Sequence, residues 1–145
     1  MTEKCLEYTF DEIDIGLTKE FQITITESMV NNFANISGDF SPIHIDEEYA
    51  KSTSFGKRVA HGMLLASFLS RVDGMYLPGK HGLYFSQNLE FRNPCFIDDK
   101  IKISSIVVDK SESTKILKIE SKITNQNDEI ICTGKKRSAD PNERA

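Results

Sequence analysis

Residues 59–72 read VAHGMLLASFLSRV. Met63, Leu64, Leu65, Phe68, Leu69 and Val72 occupy most of a helical circumference, and Ala60, Gly62, Ala66, Ser67 and Ser70 between them are small. A surface helix carries one apolar stripe; apolar residues on most faces predict a helix over about 59–72 that other structure wraps.

The flanking sequence supplies the wrapping. After Pro78-Gly79 the period changes to two: Leu83, Phe85, Leu89 and Phe91 alternate with Tyr84, Ser86, Asn88, Glu90 and Arg92 until Asn93-Pro94 stops the strand. Residues 100–109 and 115–124 alternate more weakly, and Asn125-Gln126-Asn127-Asp128 reads as a hairpin turn into 129–136. Upstream, Phe21, Ile23 and Ile25 alternate with Gln22, Thr24 and Thr26 as a half-buried strand within an extended stretch 1–26. From Glu27 to Ile36 the residues Met29, Val30, Phe33 and Ala34 predict a short amphipathic helix, capped by Thr26 and ended by Ser37-Gly38-Asp39. Residues 37–45 read as a loop, and 46–52 as one or two helical turns. A strand, helices and then a run of strands is the order of an α+β domain, with an antiparallel sheet curled around the central helix. One domain over 1–137 is expected, with 138–145 a polar, frayed tail containing Pro141.

Composition narrows the function. In 145 residues, hydrophobic residues make up 39% and charged residues 28%, a globular balance that excludes a disordered or fibrous chain. A net charge of -4 argues against nucleic acid as a partner, because phosphate-backbone binders concentrate Lys and Arg. Cys5, Cys95 and Cys132 form no CxxC spacing, so neither a disulfide framework nor a zinc site is expected; Cys95 and Cys132 should pack as small apolar groups. No apolar run approaches a membrane span, and the expectation is a soluble, cytoplasmic protein.

The chemistry centres on few residues. Asp39 and His44 flank a bend held by Gly38 and Pro42, so the two side chains can converge on one water molecule, one accepting its proton while the other donates. Taken alone, such a pair also fits a turn-capping aspartate beside an ordinary loop histidine. Gly62 opens the buried helix, where a backbone N–H lacks an intrahelical acceptor and points along the positive end of the dipole. Such a group stabilises a developing oxyanion. A polarised carbonyl beside an acid/base pair suits addition of water across a conjugated double bond, or the reverse elimination. His61, at the helix start, reads as a satisfied structural histidine, and no spacing supports a metal site.

The run Ser37-Gly38-Asp39-Phe40-Ser41-Pro42-Ile43-His44, with Ala50 beyond it, resembles the hydratase signature of MaoC-like proteins, the (R)-specific enoyl-CoA hydratases of the hot-dog fold. Val59-Ala60-His61-Gly62-Met63-Leu64-Leu65-Ala66-Ser67 is similar to the start of that family's central helix, and the resemblance spans about residues 8–137. It implies a catalytic dyad of Asp39 and His44, an oxyanion hole at the Gly62 N–H, and a supporting helix serine at Ser70. The signature usually has Asn where this chain has Ser41, a weaker turn former, so the departure bears on loop rigidity more than on chemistry. The resemblance also implies a homodimer joined edge to edge, and an acyl-CoA substrate or the corresponding acyl carrier protein thioester. Coenzyme A would enter only as part of that substrate, with no separate cofactor; Lys57, Arg58 and Lys80 are the cations considered for its phosphates, against solvated surface charge. Met63, Leu65, Phe68 and Met75 either line an acyl tunnel or simply pack.

Two other readings compete with reversible hydration of trans-2-enoyl-CoA. A hot-dog thioesterase would send water to the thioester carbonyl itself, but that class lacks the Asp-x-x-x-x-His loop. A non-catalytic acyl-binding module would not need both dyad residues intact.

Overall fold

The computed structural model describes residues 3–139. After a 3-10 turn at Phe10–Glu12, strand β1 (Thr18–Thr24) leads into α1 (Glu27–Ser37), α2 (Pro42–Ile45), α3 (Glu47–Ser52) and the central helix α4 (Gly62–Arg71). Strands β2 (Leu83–Phe91), β3 (Lys100–Ser111), β4 (Ile116–Thr124) and β5 (Ile130–Ala139) follow. All strand pairs are antiparallel, in the order β1-β3-β4-β5-β2. The expected α+β arrangement of a sheet around a helix is therefore present.

The core is the inner sheet face closed by α4. Ile101, Ile103 and Val107 of β3 and Leu117, Ile119 and Ile123 of β4 meet Leu64, Leu65 and Leu69 of α4 in one buried cluster. Phe21 of β1 packs edge-on against Phe68, with ring centroids 6.4 Å apart. α1 begins and ends as its sequence predicts: the Thr26 side chain accepts from the Met29 N–H, and Gly38 takes the left-handed conformation (φ 79°) that ends the helix.

Five expectations change. Residues 42–45 form a one-turn helix within the expected loop. α4 starts at Gly62 and not near Val59, because residues 59–60 are extended and pinned on two sides: Val59 N–H donates to Ile43 O and Ala60 N–H to Cys95 O. The helix is also open along one stripe, where Met63, Ser67 and Ser70 are exposed. In β2 the register shifts between Tyr84 and Ser86, a bulge that leaves Leu83 and Phe85 exposed while the Tyr84 ring lies inward against Lys136. Finally, Ser138 and Ala139 are not frayed: both are buried in β5, paired with β2 and β4. The rest of the expected tail, 140–145, lies outside the described residues.

Beyond α4 the chain makes a π-helical turn at Val72–Tyr76, tied to the sheet by a buried ion pair. Lys136 Nζ donates to Asp73 Oδ1 at 2.9 Å and to Leu77 O at 3.0 Å, and both side chains are almost fully buried. Burial pulls the Lys136 pKa down, and the Asp73 carboxylate opposes that shift. Removing one partner leaves the other charge uncompensated in the interior. Asp73→Asn is therefore expected to lower the unfolding free energy by about 3 kcal/mol in urea titrations, while the double change Asp73→Leu with Lys136→Met recovers most of the loss.

Candidate active site

The site forms where two distant segments meet. Asp39 sits just after the Gly38 cap, its N–H bonded to Ser37 Oγ (3.1 Å) and its Oδ1 accepting the Ser41 N–H (3.1 Å). These local bonds leave Oδ2 directed at His44, and Oδ2 to His44 Nε2 is 3.8 Å. That gap is too long for a direct hydrogen bond, yet one water bonded to both groups can span it.

His44 is fixed from behind. Its Nδ1 lies 2.6 Å from Val59 O. A carbonyl only accepts, so Nδ1 carries a proton, and in the neutral ring Nε2 presents its lone pair toward Asp39. The imidazole stacks on His61 with ring centroids 4.0 Å apart. His61 is buried, and its Nε2–H donates to Asp39 O at 3.0 Å, holding the aspartate backbone. It is less fully satisfied than expected, since its Nδ1 has no partner among the described residues. Asp39, His44 and His61 offer ligand-type atoms within 4.8 Å of one another. With His61 Nε2 and His44 Nδ1 engaged by carbonyls and the free His61 Nδ1 buried, His44 Nε2 and an Asp39 oxygen face each other across the gap.

Both groups open onto a cavity of about 520 Å³ whose apolar walls include Phe55, Met63, Leu65, Phe91 and Pro94. Gly62, the first residue of α4, also lines it. The Phe91 ring packs close over it: a Cβ would stand 2.9 Å from that ring, so a larger residue would have to displace it. Its N–H belongs to the helix's first turn, which has no intrahelical acceptor, at the positive end of the dipole. The arrangement can hold a water between an acid and a base and present an N–H to an oxygen that gains negative charge.

Of the residues expected at the site, Asp39, His44 and Gly62 are brought together. Ser41 contributes its backbone N–H, while its side chain caps nothing. Ser70 is not brought to this cluster within one chain: it is exposed on α4, about 12 Å along the axis from Gly62. None of the three cations considered for phosphate lines the cavity. Arg58 is buried, with its donors taken by His44 O, Glu27 and Asn31. Lys80 is paired with Glu7 at 2.8 Å, and Lys57 lies over the Phe96 ring. The cation that does reach the cavity is Arg92, whose Nη2 donates to Glu90 at 2.6 Å. Its position between the polar phase of β2 and the Asn93-Pro94 stop was the available signal. Leu65 lines the cavity as well as packing in the core, and Phe68 packs against the core.

Comparison with known proteins follows the same lines. A family model described as a MaoC like domain matches residues 11–128. A 3-hydroxybutyryl-CoA dehydratase of Methylorubrum extorquens is 33% identical over 138 residues, 91% of this chain and 88% of that protein. An (R)-specific enoyl-CoA hydratase of Aeromonas caviae is 33% identical over 122 residues, covering 84% and 91% of the two chains. The solved structure of an (R)-hydratase from A. caviae involved in PHA biosynthesis superposes with a TM-score of 0.87 at 32% identity, over 89% of this chain and 98% of that one.

Cys95 also lines the cavity, but burial pushes its thiol pKa up to about 12, and the Cys132 thiol is raised for the same reason. The thiolate is the reactive form. At pH 7.5, roughly neutral, iodoacetamide should therefore label the partly exposed Cys5 of the folded protein and leave Cys95 and Cys132 unmodified until denaturant is added, as read by peptide mass spectrometry.

Proposed function

The chain belongs to the MaoC-like family, and from that premise we propose that it is an (R)-specific 2-enoyl-CoA hydratase, adding water reversibly to trans-2-enoyl-CoA. The observation that carries this reading is the 3.8 Å gap between Asp39 Oδ2 and His44 Nε2, open to an apolar cavity that Gly62 also lines.

In the hydration direction, a water in that gap attacks C3 and its proton passes to the dyad. The electron pair of the C2=C3 bond moves toward the thioester, so the carbonyl oxygen becomes an enolate oxygen beside the Gly62 N–H. The dyad then returns a proton to C2, giving the 3-hydroxyacyl thioester. Dehydration runs the same steps backward. Proton transfer and oxyanion stabilisation cover the whole change, so coenzyme A enters only as part of the substrate and no further cofactor takes part. The apolar walls strengthen each electrostatic interaction by excluding bulk water. Arg92, at the cavity, is the side chain placed to meet a phosphate of coenzyme A.

The active form in this reading is a cytoplasmic homodimer. Of the two edge strands, β1 exposes Thr18, Glu20, Gln22 and Thr24, whereas β2 exposes the apolar Leu83, Phe85 and Phe91 beside Ser86, Asn88 and Glu90. Exposed apolar side chains on an edge strand favour association, and pairing β2 with a second copy covers them beside the cavity that Phe91 lines. No helix among the described residues is long and apolar enough to cross a membrane.

An enoyl-CoA panel followed both by loss of enoyl absorbance and by free thiol separates hydration from thioester hydrolysis. Asp39→Asn and His44→Ala should each lower kcat roughly a hundredfold or more with the fold intact by circular dichroism, the scale of a lost general acid/base. Wild-type turnover in either folded variant contradicts the dyad assignment. Replacing Leu83 and Phe85 together by lysine should convert a dimer mass to a monomer mass in light scattering; an unchanged mass removes β2 as the joint.

A further inference from the structure

The proposed reaction makes His44 a proton carrier, yet α2, which bears it, spans only Pro42–Ile45. A helix this short cannot hold itself, because nucleation costs more than one turn of hydrogen bonds returns. Of its carbonyls only that of Pro42 takes a helical i+4 bond, from the Asp46 N–H, and the His44 carbonyl is left for a donor outside the helix. The orientation of the imidazole must therefore come from outside, and it comes from Arg58 and Val59.

We propose that Arg58 is a positioning residue for His44. The side chain is 5% exposed and forks three ways: Nε donates to His44 O at 2.6 Å, Nη1 to Glu27 Oε1 at 2.9 Å and Nη2 to Asn31 Oδ1 at 2.7 Å. The guanidinium thus joins the dyad loop to the first turns of α1, the helix whose other end carries Gly38 and Asp39. Val59, the next residue, completes the grip. Its N–H donates to Ile43 O at 3.1 Å, and its carbonyl takes the His44 Nδ1–H at 2.6 Å. If residue 58 shifts, the carbonyl that selects the His44 tautomer shifts with it, and Nε2 loses its lone-pair orientation toward Asp39. The planar fork is what the site uses: a lysine ammonium keeps the charge but cannot reach three acceptors in these fixed directions. Arg58 does not line the cavity, so it acts through His44 and not on substrate.

This inference rests on the hydratase reading for its kinetic part only, since the tautomer can be read without substrate. Nitrogen-15 spectra of the histidine rings should show His44 protonated at Nδ1 in the wild type and a mixture of tautomers in Arg58→Lys and Arg58→Met. Steady-state kinetics should show kcat reduced roughly ten- to a hundredfold with KM nearly unchanged, the scale of a misplaced catalytic group, and Arg58→Lys should recover part of the loss seen in Arg58→Met. Should the Arg58 variants not fold, Asn31→Ala with Glu27→Gln releases the guanidinium from α1 and should shift both readouts the same way by a smaller factor. A wild-type kcat and an unaltered Nδ1–H signature in a folded Arg58 variant, or in that double variant, overturn the assignment. Absence of hydration by the wild type itself would refute the hydratase reading and leave the tautomer test standing.

Discussion

The hydrogen bond from His44 Nδ1–H to Val59 O holds the site together, because it docks the short Asp39–His44 loop onto the strap that leads into the central helix. That strap, residues 59–61, is extended, which frees its polar groups to point both ways. Val59 serves Ile43 and His44 on one side, Ala60 N–H reaches Cys95 O on the other, and His61 O accepts the Leu64 and Leu65 N–H groups that start α4. Had the helix begun at Val59, its carbonyl would have gone to the N–H four residues on and not to His44. The late start at Gly62 is thus what brings a helix N-terminus, an imidazole and a carboxylate to one cavity.

Polar and apolar demands are met by different layers. The inner sheet face and α4 bury an aliphatic cluster that anchors Gly62 and the strap. The cavity walls add Phe55, Met63 and Phe91, which are each about half exposed in one chain. Met63 of the open α4 stripe and Phe91 of β2 share the cavity lining. In the proposed dimer a second copy would cover these side chains, so assembly and exclusion of water from the cavity would be linked.

What the sequence made legible were features with local causes. The Thr26 cap and the left-handed Gly38 set the ends of α1, and the Gly38-to-His44 spacing brought Asp39 and His44 side by side, because each depends on residues within a few positions. Features set by distant partners escaped. The bulge at Phe85 leaves the apolar/polar alternation of the sequence untouched while reversing which side chains face in. Ser138 and Ala139 look like tail by composition and become strand only because β2 and β4 flank them. Arg58 read as a surface cation because its partners, Glu27 and Asn31, lie on a helix far back in the chain. Ser70 came from resemblance, and a single chain leaves it exposed away from the dyad.

In the proposed hydration, hydroxide goes to C3 and a proton to C2. Incubating the protein with a trans-2-enoyl-CoA in deuterium oxide, with chiral and mass analysis of the product, tests this directly. The expected product is an (R)-3-hydroxyacyl-CoA with one deuterium at C2 and no free thiol. Release of free coenzyme A with the double bond retained, or formation of the (S)-alcohol, would contradict the proposed hydration.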